Sequence, residues 1–152
     1  MNYEELLTEA DQDGIQVIEY DFVSPNIKGL YCDGTVALNS SGTDTEKACV
    51  LAEELGHHYT SDGIIIDQTS TSNRKQERRA RIWAYKKAFA LTDFILAFKA
   101  GCRNRYEFAE YLEITEAFLQ EAIDYYKGKY GPYIIQEPYV IYLDPLGVLE
   151  LL

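Results

Sequence analysis

Residues 52–58 read Ala52-Glu53-Glu54-Leu55-Gly56-His57-His58 and contain the only two histidines of the chain. The stretch is the pattern His-Glu-x-x-His with one change, Glu53 in the place of the first histidine. Positions four apart on a helix lie about 40° apart around its axis, so Glu53 and His57 share a face and can reach one ion from successive turns. Glu54 sits about 100° round, at the shoulder of that face. There it is placed to take a proton from an ion-polarised water without being a ligand itself. Metal-assisted hydrolysis is the chemistry such a set performs. His58 lies about 140° from Glu53 and reads as a packing or supporting residue.

A third ligand has to come from elsewhere, and Glu77 is the candidate. It falls at the start of the next long helix and shares a face with Ala80, Ala84 and Ala88, small residues that let two helices approach closely. Gly56 flanks the motif face and leaves room for a substrate strand or another backbone. The apolar stripe Ala48, Leu51, Ala52, Leu55 and Tyr59 points the other way and anchors the motif helix in the core. A Glu-x-x-x-His pair is also common on an ordinary polar face. What favours a metal is the conjunction of both histidines, Gly56 and a suitably placed Glu77.

The elements that must position these residues follow from local signals. Residues 3–11 read as an amphipathic helix, and residues 15–22 as a β-rich strand. Ser24-Pro25-Asn26 is a turn. Runs 29–32 and 35–38 are joined by Asp33-Gly34, a hairpin signal because both turn positions need positive φ. The first third is thus expected to be a small antiparallel sheet. Thr43-Asp44-Thr45-Glu46 is a capping box that starts the motif helix, which runs to about Tyr59. Residues 60–73 form a polar loop around Ile64-Ile65-Ile66, expected to border the cleft. Asn73 and Gln76 are cap candidates for a helix to about Lys99, uninterrupted by Pro or Gly and ended by Gly101. Residues 104–112 and 115–127 then form two helices, with Thr115 as N-cap. Strands follow at 133–135, 139–143 and 148–151. The fold class is α+β: a small N-terminal antiparallel sheet on a zincin-like helical pair, then C-terminal helices and a β-hairpin. The expected division is residues 1–101 for the metal-site domain and 102–152 for the extension, together one compact unit.

The chain has 152 residues and a net charge of −11. Length permits one real core, and the charge argues against broad nucleic-acid contact. Arg74-Lys75 and Arg78-Arg79-Arg81 cluster at helical spacing and read as a solvated face answering the acidic remainder. Cys32, Cys49 and Cys102 lack Cys-x-x-Cys spacing, which argues against a zinc ribbon or a disulfide framework, and Cys49 reads as a core residue. There is no secretory signal and no membrane-length apolar run, so the expected compartment is the cytoplasm, with no membrane partner. The oligomeric state is not legible.

The segment Ala48–Thr60, continued by Asn73–Ala80 and Tyr106–Leu112, resembles the ImmA/IrrE metallo-endopeptidases. The likeness is to the small phage and mobile-element type, with Glu-Glu-x-x-His in place of His-Glu-x-x-His. The resemblance implies a cytoplasmic zinc peptidase that acts as an anti-repressor by cutting a helix-turn-helix repressor. By position it implies Glu53, His57 and Glu77 as metal ligands and Glu54 as the base. Two carboxylates with one imidazole cancel the charge of Zn²⁺ and harden the site, so Mn²⁺ or Fe²⁺ compete better. The departure at Glu53 keeps an alternative open, a catalytically inactive relative that binds and sequesters a repressor or another protein. A weaker third reading is an acidic surface that imitates DNA. Residues 104–127 also resemble a helix-turn-helix. The second helix carries Glu116, Glu121 and Asp124 against Lys127 alone, so it reads as a stabilising or docking element rather than a DNA reader.

Overall fold

The computed structural model describes residues 1–60 and 70–152, without the side chains of residues 70–72. It is an α+β fold whose contacts divide it into two units, Met1–Ala88 and Phe89–Leu152.

The first unit opens with α1 (Tyr3–Gln12), whose N-cap Asn2 accepts from the amides of Glu4 and Glu5 at 2.8 and 3.3 Å. Leu6 and Ala10 bury one face of it, as the amphipathic spacing requires. Strands β1 (Gln16–Tyr20), β2 (Gly29–Cys32) and β3 (Thr35–Asn39) form one sheet. Asp33 and Gly34 both have positive φ, 51° and 81°, which matches the right-handed twist of the β2–β3 hairpin.

The sheet is mixed, not antiparallel throughout. Its order is β1-β3-β2, with β1 parallel and β2 antiparallel to β3. The reason is burial. Val36 and Leu38 of β3 are fully buried, so β3 takes the centre, where both of its edges are paired. A parallel pair needs a crossover of a dozen or so residues, and the stretch 21–34 supplies it with β2 inside. Ser24 starts the turn in that stretch, accepting from the Ile27 amide at 3.3 Å. At the end of β3, buried Asn39 donates to the Ile27 carbonyl and accepts from the amide and hydroxyl of Ser41.

Helix α2 (Asp44–Thr60) starts at the capping box. Thr43 Oγ1 accepts from the Glu46 amide at 3.1 Å and donates to the Glu46 carboxylate at 3.1 Å. Ala48, Cys49, Leu51, Ala52 and Leu55 are buried. Helix α3 (Ser70–Ala88) begins earlier than the cap signals suggested, so Asn73 lies within it. The loop expected at 60–73 falls mostly outside the described residues, and with it any role at a cleft. The expected continuation to Lys99 does not occur. A break at 89–92 separates α3 from α4 (Asp93–Lys99) with neither Gly nor Pro. The Asp93 carboxylate captures the Ala90 amide at 2.8 Å, and the Asp93 amide returns to the Ala90 carbonyl at 2.9 Å. A side-chain acceptor of this kind gives the Ala90 amide an alternative to the α3 ladder and starts α4 anew.

In the second unit α4 is followed by α5 (Arg105–Leu112), α6 (Glu116–Tyr130), and strands β4 (Tyr133–Gln136), β5 (Tyr139–Leu143) and β6 (Leu146–Glu150). Asn104 and Thr115 cap α5 and α6 by accepting from the Glu107 and Phe118 amides at 2.9 and 3.1 Å. Phe94, Phe108, Leu119 and Ala122 are completely buried between the helices. Phe89 belongs to this core, its ring 5.1 Å from that of Phe94. The strands form a three-stranded antiparallel meander, one strand more than a hairpin. Tyr133 faces Tyr142 across it, so the C-terminal tyrosines serve partly as cross-strand pairs. Among the described residues no helix is long and apolar enough to cross a membrane.

Candidate metal centre

The site depends on how closely α2 and α3 approach. A Cβ built on Gly56 would lie 2.9 Å from the Ala80 carbonyl carbon and 3.0 Å from its Cα, and closer still to its oxygen. The room beside Gly56 is therefore taken by the α3 backbone, not by a substrate strand. Ala80 and Ala84 are fully buried and Ala88 nearly so, which gives α3 a smooth face at the contact. Gly29 works the same way from the sheet side, since a Cβ there would stand 2.6 Å from Cγ1 of Val50 on α2.

Across the α2–α3 seam, His57 Nε2 stands 3.2 Å from Glu77 Oε1. Two tetrahedral ligands, each about 2.0–2.1 Å from a zinc ion, lie about 3.3 Å from one another. The pair thus fits as two donors to one divalent cation. His57 is largely covered, with 18 % of its side chain accessible, whereas Glu77 keeps 54 %, so the site opens toward the α3 side. Glu54 is half-buried, and its carboxyl is pushed up from 4.5 to about 7. Burial is the largest cause, followed by the negative charges of Glu53 and Glu77. Glu53, Glu54 and Glu77 therefore share one electrostatic neighbourhood. Among the described residues no three carboxylate, imidazole or thiol groups converge on a point where one ion could be held. The described donors closest to such a centre are the His57–Glu77 pair.

His58 does supporting work. Its Nδ1 is 2.7 Å from the Tyr31 hydroxyl, and that hydroxyl also accepts from the Gly34 amide at 3.3 Å. Which of the two donates in the Tyr31–His58 contact is set by the imidazole tautomer, and in either tautomer the bond ties His58 to Tyr31. The β2–β3 hairpin is in this way clamped to the turn of α2 that carries His57. Tyr31 was not identified from sequence. The available signal was alternation, since it lies two residues from Gly29 on the face of β2 turned to α2. Tyr59 stacks on Trp83 of α3 and donates to Asp13, a second brace across the seam.

The state of Glu54 makes a prediction about stability. Its folded-state value lies above its unfolded one, so the stability gained by keeping it protonated is fully present below about 4.5. That contribution is lost as pH rises through about 7. Metal-free wild type is expected to lose stability between pH 5 and pH 8 relative to Glu54→Gln, whose amide does not titrate. Urea unfolding of both proteins at the two pH values measures this, and an identical pH dependence would contradict the assignment.

The glycine-and-alanine seam brings an imidazole and a carboxylate from two helices to one point, as two helices that share a metal ion must do. The family model for the IrrE N-terminal-like domain of peptidase family M78 matches residues 10–124. The chain belongs to this ImmA/IrrE family of metallopeptidase-like proteins, and membership implies a metal cofactor. Neither a search of curated proteins nor one of solved structures gives a match.

Proposed function

We propose that the chain is a metal-dependent endopeptidase of the cytoplasm that acts as an anti-repressor, cutting the helix-turn-helix repressor of a phage or mobile element. One observation carries the catalytic part: His57 and Glu77 meet at 3.2 Å across the close α2–α3 seam, with Glu54 beside them. A bound divalent cation, Zn²⁺ first and Mn²⁺ or Fe²⁺ as alternatives, supplies Lewis-acid polarisation of the scissile carbonyl and acidifies the attacking water. His57 and Glu77 would hold it, and Glu53, one turn before His57 on the same helix, would be the third donor. The Glu54 carboxylate accepts the proton of the attacking water and passes it to the leaving amine. Tyr31 and His58 keep this turn of α2 fixed to the hairpin, so the donors are preorganised.

The test is elemental analysis of untagged protein purified with and without added zinc. The expected content is about one transition-metal ion per chain, lost in Glu77→Ala while circular dichroism stays unchanged. Undiminished metal in Glu77→Ala would remove Glu77 from the centre. For the target, incubation with the helix-turn-helix protein of a neighbouring reading frame should give a chelator-sensitive cut at a defined bond.

A second reading is a non-catalytic relative that sequesters its partner by contact. It is favoured by Glu53, which stands where the His-Glu-x-x-His pattern has its first histidine. A stable complex with an uncut partner, indifferent to chelator, would establish it in place of the first.

A further inference from the structure

The basic cluster of α3 has no part in the chemistry above. Arg74, Lys75, Arg78, Arg79 and Arg81 are all exposed, and none pairs with a described residue. Two other lysines of the same unit are tied down, Lys47 to Glu19 at 2.7 Å and Lys87 to Glu9. Solubility does not account for the cluster, because a solvated face works as well with mixed charge. The arrangement works against the helix. Arg74 with Arg78, and Lys75 with Arg79, are like charges one turn apart, a spacing that destabilises helices. No acid stands in the first turn of α3 ahead of them to offset this repulsion. Glu77 is the only acid within residues 74–81, and its Oε1 faces His57.

The geometry ties the cluster to the site. Around α3, Arg74, Arg78 and Arg81 fall within a sector of about 60°, with Glu77 about 40° beyond Arg81. Along the axis the row covers about 10 Å, the length of about three residues of extended chain. We propose that this arginine row, backed by Lys75 and Arg79, docks an acidic stretch of polypeptide beside the His57–Glu77 pair. Guanidinium forks grip carboxylates two bonds at a time, so Arg in place of Lys adds register to attraction. If the peptidase reading holds, on which this consequence rests, the acidic stretch belongs to the substrate and sets which bond reaches the centre. Charge favours a short acidic peptide over nucleic acid. Beyond the row a polyphosphate meets a chain of net charge −11, and screening confines the attraction of the row to about 8–10 Å. The groove of the second unit that holds Arg103, Lys127 and Asp144 makes no comparable case. There Lys127 is bound to Asp144, and Arg103 to the carbonyls of Phe98 and Cys102.

The test uses the full-length Glu54→Gln chain and fluorescein-labelled decapeptides that are acidic, neutral or basic, with single- and double-stranded oligonucleotides as competitors. Anisotropy should show the acidic peptide bound about ten-fold more tightly than the neutral one, with the preference fading as salt rises. Replacing Arg74, Arg78 and Arg81 together by Gln should abolish the preference, and replacing them by Lys should restore part of it. The single substitutions should each give a fraction of the loss, and a thermal melt confirms that every variant is folded. Equal binding of acidic and neutral peptides overturns the proposal. So does oligonucleotide binding that is tighter than the acidic peptide and depends on the same arginines. A separate digest of a peptide mixture by zinc-loaded wild type keeps the two ideas apart. Arginine-dependent binding without any cleavage supports the docking row and counts against the peptidase. Cleavage without acidic preference, unchanged in the triple variant, supports the peptidase and rejects the row.

Discussion

Glu54→Gln is expected to lower peptide-bond hydrolysis by about a hundred- to ten-thousand-fold, the range that a positioned general base contributes. Metal content and fold should be unchanged, because an amide keeps the size of the carboxyl and Glu54 is not one of the proposed donors. The physical basis is the environment of Glu54. Burial and the charges of Glu53 and Glu77 lift its proton affinity to about 7 without metal, so near neutral pH it can both take and return a proton. Positive charge at the His57–Glu77 pair lowers that affinity, so the acid limb of the rate profile of the loaded protein should lie below pH 7. The measurement is cleavage of a quenched peptide across pH 5–8 by the zinc-loaded pair of proteins. Equal rates for wild type and variant would remove Glu54 from the chemistry, and with it the hydrolytic mechanism.

The second large effect is structural. Gly56→Ala should destabilise the protein by about 2–3 kcal/mol, since the added methyl meets backbone at Ala80 and no side chain can turn away. Helix propensity acts in the opposite direction by about 1 kcal/mol, so the observed cost is what the seam imposes beyond that gain. For a chain of this size the loss corresponds to a fall in Tm of roughly 5–10 °C. Gly128→Ala is the control. It lies in α6, where an added Cβ meets nothing within 4 Å, and should stabilise by about 1 kcal/mol. Activity should fall further in Gly56→Ala than stability alone explains, because forcing α2 and α3 apart separates His57 from Glu77. A melting temperature at or above wild type would mean that the two backbones are not in contact.

The parts of the fold that were legible from sequence are those decided within a few residues. Asp33-Gly34 turns because both positions need positive φ. Thr43 and Glu46 close on each other, and Asn104 and Thr115 start helices, because a side-chain oxygen three positions upstream of an amide caps it in almost any context. The partial misses share one cause. The parallel pairing of β1 was hidden because strand order depends on which strand the core buries most, and Val36 and Leu38 pull β3 to the centre. The break at Ala88 was hidden because Asp93 caps backwards onto Ala90 and no Gly or Pro marks the place. Tyr31 was overlooked because its partner is 27 residues away and its only local trace is alternation.

At the centre the same division holds. The spacing of Glu53, Glu54 and His57 on one helix is a property of the chain alone, since helical geometry sets their angular order wherever the helix lies. What side chains from the next helix stand opposite is not, for it depends on how closely α2 and α3 pack and in what register. Only the tertiary structure decided that Gly56 lies against Ala80, that Glu77 therefore comes within 3.2 Å of His57, and that the half-buried Glu54 feels two carboxylates at once. Contact and burial create those effects, and neither exists until the two helices meet.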